Sequence, residues 1–383
     1  MKKIIFITEN LYGGGVQRIL QIICKHFDYS NYEITLYTVR EDNPDYIIFP
    51  SNITFKYIFD TIKPGQTSLQ KFYINIKNKI KLLVYYHLSP RFFYKLFINE
   101  KTDVAIAFIE GYATRLVSGF PNNIRKIAWL HTDIINNHWS KIAYKNIIDE
   151  KKAYETMEQI VCVADTVKRQ FDKTFNLTNK SIIIHNPIDS EYIKNLSSEM
   201  TGKYDNDRNN CHILITIGAL IDVKGYHRLL NIAKRLMYEN LNFKLWIIGE
   251  GYKHKEFELF IQENKLSSHV KLLGFQTNPY KYIKAADIYV CSSYAEGYNT
   301  AITEALVLGK PVVSTECSGV KEQLGENNEY GICTPNTEEG LYEGIKQMLD
   351  EKTLNLYTQK AKERGKDFTL EASMNKIYQL IES

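Results

Sequence analysis

The sequence predicts an α/β chain built as two facing Rossmann-like domains with a cleft between them. Three observations carry this expectation. Short, continuously apolar runs alternate with helical patterns; one polar, turn-rich stretch interrupts the alternation; and the count of apolar runs restarts after it. Continuous runs suit parallel strands covered on both faces. Their alternation with helices implies a doubly wound sheet.

The predicted strands of the first half are Ile4–Thr8, Ile34–Val39, Val104–Phe108, Lys126–Leu130, Ile160–Val163 and Ile182–His185. After the first of them, Val16, Ile19, Leu20, Ile23 and Phe27 recur at helical spacing. Residues 196–210 are dense in Ser, Asn, Asp and Gly and read as a linker. The second half supplies His212–Ile217, Lys244–Ile248, Val270–Leu273, Ile288–Cys291 and Pro311–Ser314, with Leu229, Ile232, Ala233 and Leu236 marking a helix. The expected domains are therefore 1–195 and 211–367, joined by 196–210. In such sheets ligands sit beyond the carboxyl ends of the strands, which points to loops that follow strands.

Composition narrows the class. At 383 residues, 44% hydrophobic and 24% charged, the chain is too apolar to be disordered and long enough for two cores. Lys and Arg number 48 against 44 Asp and Glu, a net charge of only +4, and no nucleic-acid partner is expected. The basic, apolar start stops at Glu9 and Asn10, too soon for a signal-peptide core, so it reads as a strand. No run of 18 apolar residues could span a membrane. Six cysteines without a CxxC pair, Cys162, Cys211 and Cys291 among them in apolar runs, read as reduced buried thiols of a cytoplasmic protein.

Four post-strand segments carry candidate chemistry. Gly13-Gly14-Gly15-Val16-Gln17-Arg18 would leave backbone amides at a helix start, where an anion fits. Gly218-Ala219-Leu220-Ile221-Asp222-Val223-Lys224-Gly225 puts Lys224 within reach of a phosphate held over a strand end. In Glu296-Gly297-Tyr298-Asn299-Thr300-Ala301-Ile302-Thr303-Glu304 a turn leads into a helix capped by Asn299 or Thr300. Glu296 would lie on the loop and Glu304 in the first turns, where carboxylates suit sugar and ribose hydroxyls. Trp129-Leu130-His131-Thr132-Asp133 ends a strand on a histidine that could bond a substrate hydroxyl or move a proton. Taken singly, each has an ordinary structural reading as a loop, a solvated lysine, a cap or a packed histidine.

The stretch from Glu296 through Glu304 to Pro311-Val312-Val313 resembles the E-x7-E signature of retaining glycosyltransferase family 4, whose GT-B fold consists of two facing Rossmann-like domains. The other segments match in order. Gly13–Arg18 resembles the family's N-terminal glycine loop and Trp129–Asp133 its reaction-centre histidine loop. Ile184–Asp189 resembles the segment before the linker, Gly218–Gly225 its phosphate motif, and Leu272-Leu273-Gly274-Phe275 its base-binding turn.

The resemblance implies sugar transfer from a nucleoside-diphosphate sugar, with UDP-hexose the first guess, and retention at the anomeric carbon. The acceptor would be a glycan or polyprenyl-linked glycan of capsule or lipopolysaccharide synthesis. It implies that Lys224 binds the donor diphosphate, that Glu296 holds sugar hydroxyls and that Glu304 holds the ribose. The turn Gly297-Tyr298-Asn299-Thr300 would offer amides, Phe275 would meet the base, and Gly218 would sit beside the phosphates. From the first domain Gly14 and Gly15 would approach the diphosphate and His131 the transferring sugar, and a C-terminal helix near 368–383 would pack back on that domain. Catalysis would thus fall to His131, Glu296 and Lys224, with no metal or other cofactor expected, since no clustered His/Asp/Glu ligand set stands out. One departure stands out: the family usually has arginine at Ala219, so either Lys224 and backbone amides suffice or Arg18 substitutes for it. Two other readings stay open at this point, a non-catalytic nucleotide-sugar or glycan binder and a Rossmann-type epimerase or oxidoreductase; the missing GxGxxG disfavours the latter.

The modest net charge hides a local excess. Residues 61–101 hold eight basic residues against the single acid Glu100, a local +7. The same stretch is rich in Phe, Tyr, Leu and Ile, which predicts a segment at 68–98 able to lie on an anionic membrane surface, on the inner face of the cytoplasmic membrane. The competing expectation is that these apolar residues simply pack a helix onto the first sheet.

Overall fold

The computed structural model describes residues 1–11, 14–40, 49–202 and 211–383. The chain forms two compact units, Met1–His185 with Ser373–Ser383, and Asn186–Ala372. Residues 203–210 of the expected linker lie outside the described residues.

The first unit is a parallel sheet of seven strands: β1 (Lys2–Thr8), β2 (Tyr32–Arg40), β3 (Thr54–Phe59), β4 (Val104–Ala107), β5 (Arg125–Leu130), β6 (Gln159–Cys162) and β7 (Ser181–Ile183). They lie in the order β3-β2-β1-β4-β5-β6-β7. The second is a parallel sheet of β8 (His212–Ile217), β9 (Phe243–Ile248), β10 (Val270–Gly274), β11 (Ile288–Cys291), β12 (Val312–Thr315) and β13 (Ile332–Thr334), ordered β10-β9-β8-β11-β12-β13. In both units the chain winds outward one way, then reverses beside its first strand. The reversal falls between β1 and β4, paired from Ile4↔Val104, and between β8 and β11, paired from Ile288↔Leu214. Crevices at such reversal points are where doubly wound sheets bind ligands.

Helices cover both faces of the second sheet, which is why its strands read as unbroken apolar runs. Ile213 and Ile215 of β8 face one layer with Tyr280, Ile302 and Leu306, while Leu214 between them faces Leu229, Ala233 and Leu341 on the other. Two strands escape the sequence pattern. β3 is an edge strand on which only Ile58 is buried, and β13 has just three residues, Ile-Cys-Thr. Cys24, Cys162 and Cys291 are buried, but Cys211, expected to be so, is only partly covered because it precedes β8.

The unit boundary falls about ten residues before the one read from composition. The helix Ser190–Ser197 packs with the second unit because Ile188 and Ile193 enter that unit's core, and Asn278 Nδ2 donates to the Leu196 carbonyl at 2.9 Å. Helical propensity and polarity alone cannot show which core a short amphipathic helix serves. The final helix, Leu370–Glu382, ends in the first unit. There Tyr378 stacks on Tyr32 (5.7 Å, 22°) and donates its hydroxyl proton to the His26 carbonyl, while Lys2 Nζ donates to the Ile381 carbonyl at 2.8 Å.

Candidate active site

The loops after β8 and β11 are built against each other at the second reversal point. After β8 the chain passes Gly218, makes a short turn at Asp222–Lys224 and enters the helix Tyr226–Tyr238 through Gly225. Gly225 has φ +64°, and a Cβ there would lie 2.0 Å from the Ser292 carbonyl oxygen. Only glycine permits both the left-handed backbone and that approach. The loops are then stitched directly: Ser292 Oγ donates to the Lys224 carbonyl at 2.8 Å, and the Tyr294 amide donates to the Val223 carbonyl at 2.8 Å.

Arg228, on the first turn of that helix, clamps the second loop. Its guanidinium donates to the Ser292 carbonyl (Nε 2.8 Å, Nη2 2.5 Å), to the Ser293 carbonyl (2.6 Å) and to Asn336 Oδ1 (2.8 Å). It also lies 4.0 Å over the Tyr294 ring. Asn336 Nδ2 in turn donates to the Tyr294 carbonyl at 2.9 Å. Arg228 is only 3% exposed, so this buried charge is held by carbonyl dipoles rather than by a carboxylate.

The stitched loops hold an ion pair. Lys224 Nζ lies 2.7 Å from Glu296 Oε1, with the side chains 23% and 11% exposed. The same oxygen accepts from Ser293 Oγ at 2.5 Å and Asn299 Nδ2 at 3.2 Å. All three donors converge on Oε1, and Oε2 takes none of them. Burial alone would push Lys224 down, but the adjacent Glu296 carboxylate outweighs it and holds the ammonium above its usual range. The lysine is therefore a firmly charged cation at neutral pH.

Asn299 does two jobs. Its Oδ1 caps the helix Thr300–Val307 by accepting from the Ala301 amide at 3.0 Å, while its amide holds Glu296. Thr300 opens the helix and Tyr298 is buried just before it. Gln323 Nε2 secures the turn through the Asn299 carbonyl (2.8 Å) and Thr303 Oγ1 (2.7 Å). Glu304, inside the helix, is buried and accepts from the Tyr280 hydroxyl at 3.1 Å. Gly218 is close-packed for a reason: a Cβ there would sit 2.9 Å from the Tyr226 hydroxyl and 3.4 Å from Lys224 Cε. Phe275, just past β10, is 45% exposed.

At the first unit's reversal point the chemistry differs. Gly14 and Gly15 are exposed at the start of the helix Gly15–Lys25, where the Arg18 amide donates back to the Gly14 carbonyl at 3.1 Å. Tyr12 and Gly13 lie outside the described residues. His131, past β5, is buried between Phe108 (5.0 Å) and Trp129 (6.4 Å, 9°). Burial pushes it down to about 3 against a hydrogen bond to the Phe108 backbone, so it is neutral, and its Nε2 is buried without a partner. Glu110, after β4, is 1% exposed and accepts from the His131 amide (3.0 Å) and Trp139 Nε1 (2.9 Å). Asp133 turns its loop by accepting from the Ile135 and Asn136 amides, both at 3.0 Å.

Residues 13–192 match the model described as Glycosyltransferase Family 4, and residues 204–367 match the model described as Glycosyl transferases group 1. The chain is a family 4-like glycosyltransferase. The N-acetylgalactosamine-N,N'-diacetylbacillosaminyl-diphospho-undecaprenol 4-alpha-N-acetylgalactosaminyltransferase of Campylobacter jejuni is 27% identical to it over 377 residues, 96% of each chain. The capsular polysaccharide biosynthesis glycosyltransferase CapM of Staphylococcus aureus is 21% identical over 73% of each. Among solved structures, Anabaena Alr3699/HepE in complex with UDP and glucose shares the fold with a TM-score of 0.76 at 18% identity, covering 100% of both chains.

In this glycosyltransferase the second unit unites Lys224, Glu296 and Asn299 in one hydrogen-bonded group, with Gly218 against Lys224 and Thr300 at the adjoining helix start. Glu304 and Phe275 lie in the same unit, whereas Gly14, Gly15, Arg18 and His131 belong to the other. Sequence reasoning missed Arg228, Ser293, Tyr280 and Glu110. Arg228 lies four residues after Lys224, one turn along, yet a buried arginine answering to carbonyls leaves no mark in a sequence. Glu110 did have a signal: Glu110-Gly111 follows β4, the strand beside the reversal point.

Proposed function

We propose that the chain transfers a sugar from a nucleoside-diphosphate sugar, UDP-hexose first, to a glycan or lipid-linked glycan acceptor in surface-polysaccharide synthesis, with retention at the anomeric carbon. The observation that carries the reading is the Lys224–Glu296 pair at the second reversal point, beside the start of the helix Thr300–Val307. The leaving diphosphate develops charge as the glycosidic bond breaks. A charged lysine beside the positive end of a helix dipole stabilises it without reorganisation. Glu296, with Oε1 occupied, offers Oε2 to sugar hydroxyls, and Glu304 offers its carboxylate to the ribose. Phe275 meets the base. On this reading neutral His131 lends its unpartnered Nε2 to the transferring sugar, Gly14 and Gly15 approach the diphosphate, and Arg18 supplies the cation that Ala219 lacks. The Campylobacter relative, named for an undecaprenol-linked substrate, supports a lipid-linked acceptor.

A cavity of about 510 Å³ in the first unit suits the acceptor. Glu9, Arg40 and Asp60 line it beside Tyr85, Tyr86 and Tyr112, a mix of charged groups and rings that fits a carbohydrate. The test is a panel of nucleotide sugars scored by the rise in melting temperature, followed by transfer assays with the best donor and NMR of the product anomer. Transfer with retention, abolished by Glu296→Ala in a folded protein, is the expected result. An inverted anomer would refute retention, and binding without transfer would mark a non-catalytic homologue.

A further inference from the structure

The helix Ser68–His87 turns its apolar face outward. Leu69, Phe72, Ile76, Ile80 and Leu83 recur every three or four residues and are 81%, 63%, 42%, 50% and 52% exposed. The face packed on the unit carries Asn78, Lys81 and Tyr85 instead. Lys81, only 6% exposed, donates to the Ile58 carbonyl at 2.5 Å and pairs with Asp60 at 3.1 Å, and Asn78 Nδ2 donates to the Asp60 carbonyl at 2.7 Å. Arg115 Nη2 donates to the Tyr85 carbonyl at 2.7 Å. A capping box between Thr67 and Gln70 closes the helix start. The orientation is therefore pinned by buried polar bonds, and burial of the apolar stripe in this unit is ruled out. The next helix, Pro90–Phe97, exposes Phe92 (46%) and Leu96 (54%) in the same way.

We propose that this stripe is a docking surface for an anionic lipid bilayer. Charge decides the occupant. Residues 68–97 contain no Asp or Glu, and Lys71, Lys79, Arg91 and Lys95 are exposed, with no ion pair among the described residues. Two copies meeting through this stripe would set positive charge against positive charge. An anionic leaflet is attracted instead, by about 1 kcal/mol per basic residue, or roughly fivefold in partition. Exposed Phe72, Tyr73, Tyr86 and Phe92 are side chains that settle at the lipid–water interface. No helix among the described residues is long and apolar enough to cross a membrane, so the contact is peripheral. The inference stands apart from the sugar chemistry: it can hold whether or not the chain transfers a sugar.

The test is co-sedimentation of the full chain with vesicles of phosphatidylglycerol mixed into phosphatidylcholine, against phosphatidylcholine alone, at low and high salt. Expected is binding to the anionic vesicles that weakens with salt. Phe72→Ser/Ile76→Ser/Leu83→Ser should reduce it about tenfold or more, and Lys71→Gln/Lys79→Gln roughly 25-fold. All five positions are exposed and lie outside the cavity lining, so melting temperature should stay at the parent value. No binding of the parent protein to anionic vesicles at low salt overturns the proposal. So does binding unaffected by the serine variant, and so does parent self-association in sedimentation velocity that the serine variant abolishes, which would make a second copy the occupant.

Discussion

The two reversal points share a topology and differ in everything placed on it. In the second unit, charged and polar groups are knit across two loops: Lys224 on Glu296, Arg228 on the Ser292 and Ser293 carbonyls, Asn299 on both Glu296 and a helix start. In the first, a neutral histidine is walled by rings, and a buried carboxylate is occupied by a backbone amide and an indole. One is knit around an ion pair and a buried guanidinium, the other around stacked rings and a carboxylate that has no cation among the described residues bonded to it. The lesson is that a doubly wound sheet supplies the crevice, and the loops decide which side chains line it.

Four changes would break or sharpen this contrast. Glu296→Ala should cost the most, lowering turnover about 10²- to 10³-fold. Steady-state kinetics with the donor found by thermal shift would check it, and a tenfold or smaller loss would deny Glu296 its central place. Gly225→Ala should destabilise on the order of 3 kcal/mol, since strain at a positive φ adds to a clash with the Ser292 carbonyl. A wild-type urea midpoint would show that the two loops need not abut. Arg228→Met should cost about 1–3 kcal/mol by leaving the two carbonyls unpaired, with weakened donor binding. Arg228→Lys should recover part of it, so equal losses in both variants would argue against a hydrogen-bonding role.

The fourth effect belongs to the first unit and emerges only as pH falls. His131 is held neutral down to about pH 3, whereas an unfolded histidine protonates near 6.5. Its contribution to stability is thus present above pH 6.5 and lost as pH falls from there towards 3. Between pH 6 and 4 the parent protein should lose about 1.4 kcal/mol per pH unit more than His131→Phe. Parallel pH–stability curves for the two would place His131 in contact with water.

Much of the fold was legible. Continuous apolar runs identified eleven of the strands because both faces of each sheet are covered, and the restart at His212 exposed the second unit. The turn-then-helix reading at Glu296–Glu304 placed Glu296 on the loop, Asn299 at the cap and Glu304 in the helix, because capping is a local interaction. The boundary was misread at Ser190–Ser197, where Ile188 and Ile193 chose their core by long-range packing. The basic segment 61–101 was visible as charge, but the face it turns outward was not.

Sequence by itself determined the class of architecture, the strand-end loops and the residue types able to meet phosphate and sugar, since these follow from short-range periodicity and side-chain chemistry. Tertiary structure alone decided which partners they meet. Lys224 and Glu296 are 72 residues apart and Arg228 and Ser292 are 64, and only the pairing of β8 with β11 closes those distances. The outward stripe on Ser68–His87 has the same cause: Lys81 and Asn78 found buried partners near Asp60, and the apolar face was left to point away.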